Sequence, residues 1–267
     1  MRLISGVIFF LFLLISCSKK QDYSKVQLFG HAGMGLSIEN SFYHDNSLES
    51  IELALSINGC DGVEVDVQMS LDKSLWLYHD PNLETQTDLS GCISSKTDKE
   101  LENVRYKTFS KEKLIKLNEV DFNILKNKTI ILDLKNFNYC TFTEVNKTDF
   151  INALKQLPFL MDSSIKVKII LKDELWLQSF IDNEFDILYE VNSLEKWNTI
   201  IDVYPSIKGL LIKTSKILKS EVQNIHLSNK EVFLFEMRSP NTIREALIKN
   251  PDGIISDDLR GAVLEKY

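Results

Sequence analysis

Between Val26 and Asp257, short runs rich in β-branched and aromatic residues alternate with longer stretches of helical period, the pattern of βα units laid around a parallel sheet. The predicted strands are Val26 to His31, Gly62 to Gln68, Ser74 to His79, Thr129 to Lys135, Lys166 to Leu171, Ile187 to Val191, Gly209 to Lys213, Val232 to Met237 and Gly253 to Asp257. Helical patterns fill most of the gaps, such as Ser47 to Ile57, with Leu48, Ile51 and Leu55 on one face, and Thr242 to Lys249, stopped by Asn250-Pro251. One gap breaks the rule. Only five residues, Met69 to Lys73, separate the second run from the third, whereas a parallel crossover needs about a dozen. The third run must therefore return as a hairpin arm, and a turn centred on Asp72-Lys73 sets Asp66 opposite His79. Eight strands then remain for about 245 residues, the size and count of a single-domain (β/α)8 TIM barrel with a β-hairpin arm after its second strand. A doubly wound open sheet is the alternative, since counting strands does not show closure; no Gly-rich phosphate loop supports it.

The segment before the first strand lies outside that fold. Met1 and Arg2 precede an apolar stretch from Leu3 to Ile15, too short for a membrane-spanning helix and suited to the h-region of a secretory signal peptide. Residues 1–16 are expected to be a removed leader. Leu14-Ile15-Ser16-Cys17 resembles a bacterial lipoprotein box, so Cys17 is the expected lipidation site and residues 17–25 the tether, with the barrel occupying 26–267. A plain signal peptide with an incidental cysteine is the alternative. The lipoprotein reading places the protein on the bacterial cell envelope, in contact with membrane through this anchor only. Cys60, Cys92 and Cys140 remain, enough for one disulfide and a free thiol. No CxxC or His/Cys cluster suggests zinc. With 31 Lys+Arg against 38 Asp+Glu, the formal net charge is -7, the wrong sign for a nucleic-acid partner and compatible with a small solute.

In a parallel barrel, chemistry gathers at the C-terminal ends of the strands. There the sequence places His31, Glu64 with Asp66, His79, and Asp133 with Lys135. Alternation puts Glu64 and Asp66 on one face of their strand, and Asp133 and Lys135 on one face of theirs. Three carboxylates converging on one point repel one another unless a cation sits among them, and an all-oxygen donor set favours Mg2+ or Ca2+. Two of the chain's four histidines, His31 and His79, fall at the same mouth, where acid and base groups are needed. His44 and His226 are expected in solvent, and Lys213 and Arg238 on the surface or in salt bridges.

His31-Ala32-Gly33, Asn46-Ser47-Leu48-Glu49-Ser50-Ile51, the run Gly59 to Gln68 and Leu77-Tyr78-His79-Asp80-Pro81-Asn82-Leu83 follow one another in the order of a known N-terminal pattern, and Pro251 to Asp257 resembles the matching last strand. On these motifs the chain resembles the glycerophosphodiester phosphodiesterases; the stretch Phe137 to Leu227 is unspecific. The resemblance implies a (β/α)8 barrel that uses a divalent cation, Mg2+ or Ca2+, to hydrolyse small-molecule glycerophosphodiesters to sn-glycerol 3-phosphate and an alcohol. It implies His31 and His79 as the acid/base pair, Glu64, Asp66 and Asp133 as metal ligands, and Lys135 on the substrate phosphate. The implied route is attack by the glycerol 2-hydroxyl on phosphorus, then hydrolysis of the cyclic phosphate. Three departures stand out. Ala32 replaces the family's usual Arg, Asp133 is one methylene shorter than the usual Glu, and the family's Glu-Asn pair is matched by Asp45-Asn46, favouring Asn46, or by Glu39-Asn40, with Glu39 the second candidate ligand. A phospholipase-D-like lyase releasing a cyclic phosphate and a non-catalytic binder of phosphodiester headgroups are the alternatives.

Overall fold

The run Gly62-Val-Glu-Val-Asp-Val-Gln-Met alternates β-branched with polar residues and forms an eight-residue strand buried along its whole length, β2 (Gly62–Met69). Val63, Val65 and Val67 join the large apolar layer shared with the helices. The opposite face carries Glu64 and Asp66. The computed structural model describes residues 22–35 and 42–267, so the leader, Cys17 and the Glu39-Asn40 pair lie outside the described residues.

The other barrel strands are β1 (Gln27–Gly30), β4 (Thr129–Leu134), β7 (Lys166–Leu171), β8 (Ile187–Val191), β9 (Gly209–Lys213), β10 (Glu231–Phe235) and β11 (Gly253–Ser256); β3 (Leu75–Leu77) is the hairpin arm, and β5 (Phe137–Asn138) and β6 (Thr143–Glu144) form a small separate hairpin. The eight barrel strands pair in parallel in the order β1-β11-β10-β9-β8-β7-β4-β2, and β2 pairs back onto β1. That last pairing closes the barrel and excludes the open sheet. Around it run α1 (Leu48–Ser56), α2 (Asp98–Leu101), α3 (Lys147–Lys155), α4 (Glu174–Ile181), α5 (Leu194–Val203), α6 (Lys219–Leu227), α7 (Pro240–Lys249) and α8 (Leu259–Lys266). The helix read from Leu48, Ile51 and Leu55 is α1; Ser47 caps it by accepting from the Ser50 amide, and Ile51, Ala54 and Leu55 are buried.

Phe29, Ile131, Ile170, Leu188, Leu211, Phe233 and Ile255 form a second apolar cluster, one side chain from each of seven strands. This belt fills the barrel interior. Below it, Lys168 is buried against Asp186 (3.0 Å) and Glu231 (2.6 Å). Gly62 is needed at this end, because a Cβ there would lie 1.8 Å from the Thr129 carbonyl oxygen of the neighbouring strand. Above the belt the inward positions become polar.

The arm pairs with β2 one residue out of the expected register. Val67 faces Leu77, and the Tyr78 amide donates to the Asp66 carbonyl, so Asp66 stands opposite Tyr78 rather than His79. The loop is the three residues Leu71-Asp72-Lys73, closed by the Lys73 amide on the Ser70 carbonyl with Lys73 left-handed at φ 68°. A three-residue loop centres on Asp72 alone, which shifts every pair by one. His79 consequently sits beyond the arm, on the loop that follows it.

Two clamps hold the arm and its following loops. Asp98, at the start of α2, accepts from Ser70 Oγ (2.7 Å), Ser74 Oγ and Trp76 Nε1 (3.0 Å) and pairs with Lys116 (3.0 Å). Burial opposes its charge, but these donors win and hold its carboxyl down at about 2. Because the folded value lies below the ordinary 3.8, the stabilisation is present above that value and is lost as pH falls toward 2. Asp98→Ala is expected to cost about 2 kcal/mol at pH 7, and thermal melts of the two proteins should converge near pH 2; a gap unchanged by acid would contradict the network.

The second clamp is the disulfide Cys92–Cys140, across 48 residues of sequence, with Cys60 free and buried. Loop-closure entropy for such a span is about 4 kcal/mol. Denaturant unfolding with and without reductant should show a loss approaching that figure, and the Cys140→Ser protein should not respond to reductant.

Candidate active site

Each barrel strand delivers its last inward side chain to one rim. His31 follows β1, and its Nδ1 lies 2.6 Å from Asp257 Oδ1, just past β11, while Nε2 lies 3.7 Å from Glu64 Oε2. Asp257 also accepts from Arg238 Nε (3.1 Å). The Ala32 amide donates to Glu64 Oε2 at 3.0 Å, which requires Ala32 in the left-handed region (φ 50°) and the turn continued by Gly33 (φ 99°). A Cβ on Gly33 would meet Ser50 Oγ at 2.5 Å, so glycine is required there. Asn46, buried and also left-handed, donates from Nδ2 to Asp66 Oδ2 (2.8 Å) and accepts the Asp66 amide on Oδ1 (2.9 Å). Asn46 thus orients the carboxylate rather than adding another.

On the other side, Lys135 Nζ bridges Asp66 (2.7 Å) and Asp133 (2.6 Å), and Lys172 Nζ bridges Asp133 (3.1 Å) and Glu190 (3.1 Å). His79 is bound through Nδ1 to Asp80 (2.9 Å) and remains 40% exposed. The described residues bring His31, His79, Glu64, Asp66, Asp133 and Lys135 around one cavity of about 200 Å³.

Glu64, Asp66 and Asp133 are all buried, and each offers a carboxylate oxygen within 4.8 Å of the others. Burial, then the charge of Asp66, pushes the Glu64 carboxyl up to about 8. Burial also opposes ionisation of Asp66 and Asp133, but Lys135 holds both below the usual carboxylate range, with His79 and His31 helping at Asp66 and Lys172 at Asp133. Burial disfavours a charged His31 as well, yet the Asp257 hydrogen bond and the charges of Glu64, Asp257 and Asp66 raise it to about 9. Asp133 Oδ1 is buried with no hydrogen-bond partner. An orphaned carboxylate oxygen beside two converging carboxylates fits a hard divalent cation. The residues present therefore suit the expected metal.

Four charged rim residues were not anticipated in any role: Asp257, Lys172, Glu190 and Glu236. Lys172 and Glu190 were nonetheless signalled, since each lies two positions after an inward belt residue, Ile170 and Leu188. Arg238 does form a salt bridge, as expected, and also lines the cavity; Lys213 pairs with Glu236 (2.9 Å). His44 departs from its expected solvent position. Its ring stacks on buried Tyr106 at 3.8 Å, and its Nδ1 lies 2.6 Å from Asp45, because residues 42–46 lie against the arm's own apolar cluster. His226 pairs with Asp252 (2.9 Å) while partly exposed.

Comparison with known proteins follows the same outline. A glycerophosphodiester phosphodiesterase of Bacillus altitudinis is 23% identical over 241 residues, covering 86% of this chain and 94% of that protein. Among solved structures, an Oleispira antarctica phosphodiesterase in complex with the product sn-glycerol-3-phosphate superposes with TM-score 0.75 at 20% identity, covering 92% of this chain and 99% of that one. A glycerophosphodiester phosphodiesterase from Thermotoga maritima gives 0.67 at 20% identity, over 88% and 95% of the two chains. The family description "Glycerophosphoryl diester phosphodiesterase family" matches residues 31–201, beginning at His31 itself. With a closed (β/α)8 barrel and this match across most of its length, the chain belongs to the glycerophosphoryl diester phosphodiesterase family, whose members are phosphoric diester hydrolases.

Proposed function

We propose that the protein hydrolyses glycerophosphodiesters to sn-glycerol 3-phosphate and an alcohol, with His31 and His79 as the acid/base pair. The observation that carries this reading is the meeting of two Asp-bound imidazoles and three buried carboxylates around one cavity. Glu64, Asp66 and Asp133 would hold a divalent cation, Mg2+ or Ca2+, which when bound polarises the phosphoryl oxygens and raises the electrophilicity of phosphorus.

The chain's own residues then have distinct tasks. Asp257 and Asp80 each occupy a histidine Nδ1, which leaves Nε2 of both rings for proton exchange. One imidazole takes the proton of the glycerol 2-hydroxyl as its oxygen attacks phosphorus; the other protonates the departing alkoxide as its P–O bond breaks. Water then opens the cyclic phosphate to give sn-glycerol 3-phosphate. Lys135 has a third N–H beyond its two carboxylate partners, available to a phosphate oxygen. Arg238 brings to the rim a guanidinium that Ala32 cannot. The sn-glycerol-3-phosphate held by the Oleispira antarctica relative supports a product of this class.

The test is a panel of glycerophosphocholine, glycerophosphoglycerol and glycerophosphoinositol, assayed with Mg2+ or Ca2+ and after chelation. Release of sn-glycerol 3-phosphate that stops on chelation is expected. Undiminished activity after exhaustive chelation, or phosphorus NMR showing cyclic phosphate as the final product, would overturn it.

The same reading places the enzyme on the bacterial cell envelope, anchored through Cys17. The Cys92–Cys140 disulfide supports an oxidising compartment. A lipid-sized mass increment on the N-terminal peptide, lost in Cys17→Ala, is expected; an unmodified Cys17 in membrane-extracted protein would refute the anchor.

A further inference from the structure

A second cavity, of about 260 Å³, adjoins the first and shares His79, Lys135 and Lys172 with it. Everything else that lines the two differs. The carboxylates face the first cavity, as do the belt residues Ile170, Leu211 and Ile255. The second is walled by Phe137 and Tyr139, whose rings meet edge-on at 4.9 Å, with Gln68 and Asn136 beside them. No carboxylate is among the described residues lining it. The wall is preformed, because Cys140 directly follows Tyr139 and is tied to Cys92.

Displacement at phosphorus places nucleophile and leaving group on opposite sides of the phosphoryl group. Two cavities meeting at a shared histidine and two shared ammonium groups match the two arms of a phosphodiester. The metal-binding carboxylates and the glycerol-3-phosphoryl arm belong together in the first. From the proposed function, on which this step rests, we infer that the second cavity seats the leaving alcohol and selects a neutral, polyhydroxylated one.

The chemistry of the walls decides the class. Both amide N–H groups of Gln68 go to the Tyr78 and Asp80 carbonyls and one of Asn136's goes to Asp173, which orients the two amides so that their oxygens can accept from hydroxyl groups. A polyol or cyclitol supplies those donors and a C–H face for the half-exposed Tyr139 ring. A quaternary ammonium supplies no donor, and in this cavity it would face Lys135 and Lys172, whose carboxylate partners lie on the far side. The aromatic pair alone would accept a cation, but the neighbouring ammonium groups oppose it.

The experiment compares kcat/KM for glycerophosphoinositol and glycerophosphocholine in the full-length enzyme, and repeats the comparison in Tyr139→Ala and Tyr139→Phe. The inositol diester is expected to be preferred about tenfold. Tyr139→Ala should reduce the preference to within about twofold, and Tyr139→Phe, which keeps the ring, should retain it. Equal or greater kcat/KM for the choline diester overturns the inference while leaving the proposed function standing. A Tyr139→Ala loss equal for both substrates also overturns it, since that marks a merely structural wall. Failure to cleave either diester would bring down the proposed function, and this inference with it.

Discussion

His31→Ala is expected to lower kcat by about three orders of magnitude while leaving the barrel folded, since a positioned acid or base group contributes about 10²–10⁴ in rate. The ring sits on the rim above the apolar belt, so its removal opens no core cavity. What is lost is a ring held in one orientation by Asp257 at 2.6 Å, with its Nε2 toward Glu64. Asp257→Asn keeps a hydrogen-bonding side chain but not the charge, and should give a smaller loss, about tenfold to a hundredfold. Turnover of a glycerophosphodiester, with circular dichroism confirming the fold, checks both. A His31→Ala enzyme within tenfold of the wild type would remove His31 from the chemistry.

Glu64→Gln should separate stability from activity. Without a cation, burial first and then the charge of Asp66 push the Glu64 carboxyl up to about 8, so glutamine replaces a group that is already costly to ionise while still accepting the Ala32 amide. The metal-free variant should therefore melt no lower than the metal-free wild type. Saturating Mg2+ or Ca2+ at a hundred times Kd should stabilise the wild type by about 2.7 kcal/mol. In the variant that increment should largely vanish, together with about 10³-fold of the rate. Melting curves with chelator and with each cation, run beside the activity assay, make the check; a variant that keeps both the thermal shift and the turnover would exclude Glu64 as a ligand.

Much of this architecture was legible because parallel strands announce themselves locally. The runs at Lys166–Leu171, Ile187–Val191 and Gly209–Lys213 are strands from end to end as read. Alternation put Glu64 with Asp66, and Asp133 with Lys135, each on one face of its strand, and the structure turns those faces inward. The hairpin argument predicted the arm but missed its register by one, because Lys73 in the left-handed region converts an even turn into a three-residue loop. Asp257 stands 226 residues from His31, and nothing local pairs them. Lys172 and Glu190 lie where no motif drew attention, though the inward parity of their own strands marked both. His44 eluded the reading for the opposite reason, since its partner Tyr106 belongs to a loop with no periodic pattern.

Closure of the barrel between β1 and β11 also sets an order in time. The first barrel strand to be made finds one of its two neighbours only when the last barrel strand arrives. Until then β1 and β10 each present an unpaired edge, and His31 has no Asp257. A chain halted anywhere before Gly253 could gather its carboxylates but not orient this histidine, so the rim is complete only once the last barrel strand is in place.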